Sequence, residues 1–377
     1  MRYDDSTGRF VLGMHISSKP GLKLRLGGNI SSTALNQIYV GLEYRYLGRA
    51  MNTFNLDGYL SLFYLSGSMQ FRTDFFMKAP FYFEYGGTAN RYNYFRSNYG
   101  FLSRGHDLSY SICKDIYGWV SFGTPLGRHS VMNIQVNAGQ EGFRYFQTGG
   151  NEVADTLDYT RFPFVGAKIG VERRNLDYIM YATRGVEQQL SLFYVSGREY
   201  FIPGTSGSNL GQHAGNVRRD WFGARFVRTQ YLPLRRVKWF SLGYHIDATV
   251  TSHPSFFNDY ASNITSPAFT PTPHSKIVYL KEFRSPSYLG VGIMPTFEFT
   301  RQFYLRASAY GFIPEEYGVS EGIRSRVRYI FDFNLVYQTL LGPASLSLSQ
   351  YNTSRNNWFV TLNFGLAIFN RKGMFTN

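Results

Sequence analysis

From Leu22 onward, apolar and polar positions alternate at period two in one run after another. The clearest run is the last, Asn357–Phe369, written NWFVTLNFGLAIF. Trp358, Val360, Leu362, Phe364, Leu366 and Ile368 fall on one face. Thr361, Asn363, Gly365 and Ala367 fall on the other, with Phe359 and Phe369 breaking the rule. Successive side chains of a strand point to opposite faces, so the pattern predicts a strand. Strands of soluble domains usually run to about five or six residues. A tilted strand crossing a bilayer needs about 9–11, which this run supplies. Its apolar face would meet lipid and its small polar face a lumen. The alternative is a sandwich strand with the apolar face in a core, but alternation repeated in every strand marks a membrane barrel.

Earlier runs predict strands over Leu22–Ser32, Gln37–Leu47, Asn52–Ser66, Ser68–Met77, Pro80–Tyr94, Lys114–Thr124, Ser130–Gln147, Phe162–Asn175, Val186–Phe201, Trp221–Leu232, Val237–Ser252, Tyr288–Phe299, Phe303–Ile313, Val327–Leu341 and Ala344–Tyr351. The linkers are mostly too short for parallel crossovers, so neighbours must be antiparallel. Polar loops fall near Ser97–Gly105, Asn151–Asp158 and Gly204–Gly215. An even number of strands, about sixteen, with short turns alternating with long loops predicts an all-β transmembrane antiparallel barrel. No helix of useful length is expected. A short strand, Phe10–Ser17, precedes a Lys19-Pro20-Gly21 break, which divides the chain into residues 1–20 and a barrel over 21–377. The segment His253–Ser287 carries Pro267, Pro271, Pro273 and Pro286, so it cannot extend a ladder. Irregular segments of this length are usually functional or disordered. In a barrel it lies outside or enters the lumen, where irregular backbone finds partners.

Composition narrows the picture. Hydrophobic residues make up 44% of the 377, yet no run approaches the roughly 18 apolar residues of a spanning helix, which excludes a helical membrane protein. The 30 Tyr and 34 Phe suit interfacial girdles, and the 38 Gly suit turns and tight bends. The single cysteine, Cys113, excludes an internal disulfide framework and a multi-cysteine metal site. The charge of +14 comes from scattered residues, with basic doublets only at Arg173-Arg174, Arg218-Arg219 and Arg235-Arg236. Solvated loops and a polar lumen account for it, with lipopolysaccharide phosphate as a candidate partner and no nucleic-acid patch. The N-terminal MRYDDSTGRF has no apolar h-region. Since a barrel must be exported, a mature form or the downstream part of a longer polypeptide is expected.

No chemistry is legible. There is no GxSxG elbow; Gly204-Thr205-Ser206-Gly207-Ser208 has the wrong spacing. Asp57-Gly58 sits inside a strand pattern, and the 7 histidines include no HExxH, His245 and His253 being a weak metal hint. No catalytic residue, cofactor or metal is expected.

Several phrases resemble the BamA/TamA (bacterial surface antigen) superfamily of outer-membrane barrels. Asp177 followed by Ala182-Thr183-Arg184-Gly185 resembles its D…PTRG hairpin, and Leu341-Gly342-Pro343-Ala344 its late LGP strand entry. Glu282-Phe283-Arg284-Ser285 resembles the [VIL]RG[FY] motif of its lumen-entering sixth loop. Asn363-x-Gly365-x-x-Ile368 resembles its terminal strand signal, with Asn370 near the expected closing aromatic and an RKGMFTN tail after it. Gly27–Ser32 and Tyr288–Pro314 look most like a branch fused to a patatin-like phospholipase through a POTRA domain.

The resemblance implies that residues 1–20 are a POTRA-like remnant in a protein of the bacterial outer membrane. It implies that Arg284, beside Phe283, pairs with Glu298 to lock the loop into the lumen; Ser308 stands where a second acid is expected. Alternation puts Tyr304, Arg306, Ser308 and Tyr310 on the inward face, and pairing of Glu298 with Arg306 is the rival arrangement. The first functional expectation is a non-catalytic barrel that anchors or delivers an upstream patatin-like lipid hydrolase. The alternative is a barrel acting in outer-membrane protein assembly or translocation, with a first-to-last-strand seam weakened by Gly27, Gly28 and Gly365. The third is a diffusion porin, against which the loop argues. Expected partners are outer-membrane lipid and lipopolysaccharide, the assembly machinery and a second copy in a homodimer.

Overall fold

The computed structural model describes residues 2–4, 9–11, 21–33, 36–94, 111–146, 156–205, 213–233, 237, 239–315, 327–353 and 357–375. A small hairpin of β1 (Arg2–Asp4) and β2 (Arg9–Val11) forms its own two-stranded sheet. The predicted strand Phe10–Ser17 coincides with β2 at its start, and residues 12–17 lie outside the described residues. So do the loop centres at 97–105 and 206–212, residues 151–155, and Arg235-Arg236.

Sixteen antiparallel strands close into one barrel. The first wall holds β3 (Gly21–Ser31), β4 (Gln37–Leu47), β5 (Met51–Ser61), β6 (Tyr64–Phe75), β7 (Phe81–Asn93), β8 (Ser111–Pro125) and β9 (Ser130–Tyr145). The tallest strands follow: β10 (Asp158–Leu176), β11 (Gly185–Ile202) and β12 (Gly215–Pro233). The remainder are β13 (Phe240–Thr251), β14 (Tyr288–Glu298), β15 (Phe303–Pro314), β16 (Arg328–Thr339), β17 (Gly342–Tyr351) and β18 (Asn357–Gly365). Each strand pairs with its sequence neighbours, and β18 closes on β3. Among the described residues no helix is long and apolar enough to cross a membrane. Short turns such as 48–50, 126–129 and 340–341 gather at one end, which in outer-membrane barrels is the periplasmic end.

The two faces sort as alternation predicts. Leu22, Leu24 and Leu26 on β3 are exposed on the outer wall, as are Trp358, Val360 and Leu362 on β18 and Leu289, Val291 and Ile293 on β14. Thr361, Asn363, Thr296, Arg306 and Ser308 are buried on the inner wall. An apolar outer belt around a polar interior is what a bilayer imposes on a closed sheet. The protein is therefore a transmembrane β-barrel.

Two strand boundaries depart from the sequence pattern. The β5–β6 turn is at Leu62-Phe63 rather than Gly67, because Phe63 is buried among Tyr64, Tyr92 and Tyr94, while Gly67 lies in the ladder opposite Gly58. The last strand stops at Gly365, not Phe369. Gly365 adopts φ +107, a left-handed conformation that turns the chain inward. Ile368 and Phe369, predicted to lie on a strand, instead pack against the interior cluster.

Candidate functional site: the lumen and its seam

Three segments fold into the barrel: the loop 252–287 from one end, and the turn 177–184 and the C-terminal tail 366–375 from the other. The loop contains a short helix, α1 (Asp259–Thr265), absent from the sequence expectation. Asn258 caps it by accepting from Ala261 N, and Asn258 Nδ2 donates to Tyr145 Oη on β9 at 2.7 Å. Such a cap satisfies an orphan helix donor and fixes the helix to the wall. Phe269 stacks on Phe312 of β15 and meets Tyr288 and Tyr310 edge-on. Phe283, buried, packs on Phe312 as well. At the seam strand, His274 Nε2 lies 2.9 Å from Thr361 Oγ1 and 3.2 Å from Asn363 Nδ2. The Asn363 amide donates, so Nε2 accepts and the imidazole is neutral. Burial pushes the pKa of His274 below the ordinary histidine value, in keeping with that form.

Arg284 serves the loop itself. Its Nη1 donates to the carbonyls of Ile264 (2.9 Å) and Ser266 (3.1 Å), at the end of α1, and its guanidinium lies 5.1 Å over the Tyr279 ring. Phe269 N donates to Phe283 O beside it. Hydrogen bonds from a charged donor contribute about 1.5–3 kcal/mol each. Arg284→Ala is therefore expected to raise proteolysis within residues 253–287 about tenfold or more in folded, detergent-purified barrel. Unchanged protection would show that aromatic packing alone holds the loop.

The expected Arg284–Glu298 pair does not form. Glu298 closes the periplasmic end of β14, where its N–H donates to Trp239 O, whereas Arg284 precedes the start of that strand. The arginine beside Glu298 is Arg184, 3.5 Å away, from the periplasmic turn. Nor does Arg306 pair with Glu298. It donates to Thr296 Oγ1 (3.2 Å), to Ala182 O and to Tyr231 Oη (3.5 Å), with its guanidinium 4.9 Å over the Tyr231 ring. Ser308 faces Asp332 across the β15–β16 ladder, so the acid at this level comes from β16. Asp332 is held by Ser349 Oγ (2.6 Å) and Asn334 Nδ2 (2.7 Å).

The periplasmic turn is shaped by Asp177, whose Oδ1 accepts from the N–H groups of Tyr178, Thr183 and Arg184 and whose Oδ2 accepts from Thr183 Oγ1. An Asx side chain organising its own turn explains Asp at the head of this motif. The folded turn reaches β15 and β16, where Tyr304 Oη donates to Tyr181 O (2.6 Å) and Gln338 Nε2 to Met180 O (3.1 Å).

The seam is the shortest ladder of the barrel. β3 and β18 pair only at Asn363↔Ser31, Phe364↔Ile30 and Gly365↔Asn29, extended by Ser32 N to Leu362 O and Leu366 N to Gly28 O (2.8 Å). By contrast, β10 and β11 pair from Tyr159↔Ile202 to Leu176↔Gly185. Below the seam, β3 from Leu22 to Gly27 pairs with β4 on one side and, among the described residues, with no strand on the other. A Cβ on Gly365 would collide with Gly28 O across the seam, whereas Gly28 belongs to the closure through its carbonyl, which accepts from Leu366 N; a Cβ there would collide with Gln37 O on the other side, on β4. Gly27 has only ordinary contact with Tyr39.

Between loop, turn and tail remains a cavity of about 500 Å³, with Arg225, Asp247, Lys276, Asp332 and Arg371 among its walls. Arg225 meets Asp247 in a bidentate pair (Nε–Oδ1 3.1 Å, Nη2–Oδ2 2.8 Å), to which Tyr288 Oη adds a bond at 3.1 Å. Among the described residues no cluster of three His, Cys, Asp or Glu could hold a metal. Sequence reasoning missed Arg184, the Arg225–Asp247 pair and the inward course of the tail. Only the ATRG motif carried a signal for the first.

No family model matches this chain, and no curated protein matches it. Among solved structures, the chain is similar to BamA from Haemophilus ducreyi lacking POTRA domains 1–3, with TM-score 0.62, 11% identity and coverage of 92% of this chain and 70% of that one. It also matches CdiB from Acinetobacter baumannii (TM-score 0.49, 8% identity, 91% and 59% covered). The ferric preacinetobactin receptor BauA of the same species matches at TM-score 0.41 and 10% identity, with 89% and 54% covered. The likeness to the BamA structure is one of fold: a sixteen-stranded barrel of the outer-membrane type.

Proposed function

We propose that this barrel works in the assembly or translocation of polypeptides at the outer membrane, by parting at the β3–β18 seam. The observation that carries this reading is the seam itself: a ladder of three residue pairs beside an unpaired stretch of β3. An unpaired strand edge is a template for an incoming strand, whose main-chain bonds supply affinity without demanding a sequence. The fold shared with a BamA barrel supports the same reading. In it, residues 1–20 are the end of a POTRA-like domain, and outer-membrane lipid, lipopolysaccharide and the assembly machinery are the surroundings. A second reading, the anchor of an upstream patatin-like hydrolase, rests on the sequence resemblance; the filled lumen favours both readings over a diffusion porin.

The test combines a photo-crosslinker at Leu24, on the free edge, with a seam lock made by Ser31→Cys and Asn363→Cys. These residues face each other directly, within the Cα spacing a disulfide spans. Polypeptide adducts at position 24 in living cells are expected, falling about tenfold when the lock is oxidised and returning on reduction. Adducts to lipid alone, indifferent to the lock, would overturn the proposal and leave the anchor reading.

A further inference from the structure

We propose that the lumen face of β6–β11 is a binding site for a basic peptide segment, occupied in this structure by the chain's own Asn370–Phe375 and open to exchange with a segment of the same chemistry from another polypeptide. The inference rests on the tail's contacts and not on the seam reading. Beyond Leu366, the described tail joins no ladder. Wall side chains read its main chain instead, one peptide group after another. Asn370 N donates to Tyr64 Oη (2.9 Å), and Arg371 O accepts from Tyr117 Oη (2.8 Å) and Asn90 Nδ2 (3.3 Å). Gly373 N donates to Asp115 Oδ2 (3.1 Å), and Gly373 O accepts from Asn137 Nδ2 (2.7 Å). Capture of main-chain groups by wall side chains lets a groove hold ligands of variable sequence, and here the captured segment ends in a turn in which Phe375 N donates to Lys372 O.

The side chains are read by charge and shape. Arg371 makes a bidentate pair with Glu172, both N–O distances 3.0 Å. Lys372 is buried, with its ammonium 5.2 Å over the Tyr92 ring and its charge facing Asp115 and Glu141. A Cβ at position 373 would lie 2.6 Å from Phe164, so that subsite takes glycine. Phe375 sits over Gly166, where a Cβ would come within 2.9 Å of its ring, and beside Phe193. The ligand class is thus a segment with two adjacent basic residues, a glycine, and an aromatic two residues on.

The wall also holds more acid than the tail satisfies. Asp115 and Glu141 face each other across the β8–β9 ladder; both are buried, and among the described residues Glu141 Oε1 and Asp115 Oδ1 have no hydrogen-bond partner. Two buried carboxylates side by side are costly without cationic company. Their remaining capacity points into the site that Lys372 enters. A tethered segment acts as a ligand at an effective concentration of the order of millimolar, so the tail would mask the groove in the resting protein.

The test uses the full-length barrel with Arg371→Glu and Lys372→Glu, which unseats the tail without removing it. The probe is a fluorescent synthetic peptide, Asn-Arg-Lys-Gly-Met-Phe-Thr-Asn, titrated into barrel whose fold is checked by heat-modifiable electrophoretic mobility. Saturable binding is expected, at least about tenfold tighter to the unseated barrel than to wild type. It should be lost with a peptide carrying Glu in place of Arg and Lys, and weakened about tenfold by a further Glu172→Gln. A barrel ending at Phe369 should behave like the unseated one. Equal binding to intact and unseated barrels, or binding indifferent to charge reversal, would overturn the proposal. So would failure of both variants to fold, which would make the tail a structural plug.

Discussion

Gly365→Val is expected to unseat the end of the chain and loosen the barrel's closure together. At φ +107 an L side chain is strained, a β-branched one most of all. The cost is about 1–3 kcal/mol before any collision is counted. The added Cβ would also press on the Gly28 carbonyl oxygen, the acceptor that receives Leu366 N. Against this stand the few seam hydrogen bonds, each with a net contribution of about 0.5–1.5 kcal/mol, and the tail's bonds to Tyr64, Tyr117, Asp115, Asn137 and Glu172. The variant strand should straighten, carrying Leu366 and Ile368 toward the outer wall and the tail out of the lumen. Trypsin should then cleave after Arg371 and Lys372, sites buried in wild type or paired with Glu172, and the denaturation midpoint should fall. A tail still protected at an unchanged midpoint would show that the inward turn does not depend on a left-handed residue.

The second large effect is expected at Asp247. Its carboxylate is the partner of Arg225, whose side chain is 12% exposed against 3% for Asp247. Removing one member of such a pair leaves an uncompensated buried charge, at a cost of about 3–5 kcal/mol. The adjoining cavity of about 500 Å³ has room for water to solvate the stranded charge, which favours the lower end of that range for Asp247→Ala. Tyr288 loses the shorter of its two acceptors at the same time and keeps Ala268 O at 3.3 Å. Asp247→Asn, which keeps an acceptor oxygen, should lose less. Arg225→Met combined with Asp247→Ala should recover most of the loss, because no stranded charge remains. Urea denaturation of the three variants in one detergent decides the matter. A double variant as unstable as Asp247→Ala would mean that the pair acts through packing and not through charge.

Much of the fold was legible because a bilayer imposes a simple code. Lipid demands apolar side chains on one face of every strand, and closure demands that every strand find two neighbours. Period-two alternation therefore located all sixteen strands and assigned Trp358, Thr361, Arg306 and Ser308 to their correct faces. The proline-bearing segment 253–287 was legible as a non-ladder element for an equally local reason. The lumen was not. There, polar side chains choose partners from strands far apart in sequence, and height along the barrel axis decides which can meet. Arg284 and Glu298 have suitable chemistry but lie at different levels, so each found another partner.

The sequence by itself determined the strand count, the antiparallel order, the lipid-facing and lumen-facing sides, and the place of the long loop, since these follow from local alternation and chain connectivity. Only the tertiary structure decided where β18 ends, that the tail and the turn at Asp177 fold inward, and which charges pair. Leu366 and Ile368 continue the alternation of the strand before them. The φ of Gly365, and the Tyr64, Tyr117 and Asp115 side chains waiting across the lumen, are what turn the chain away from it.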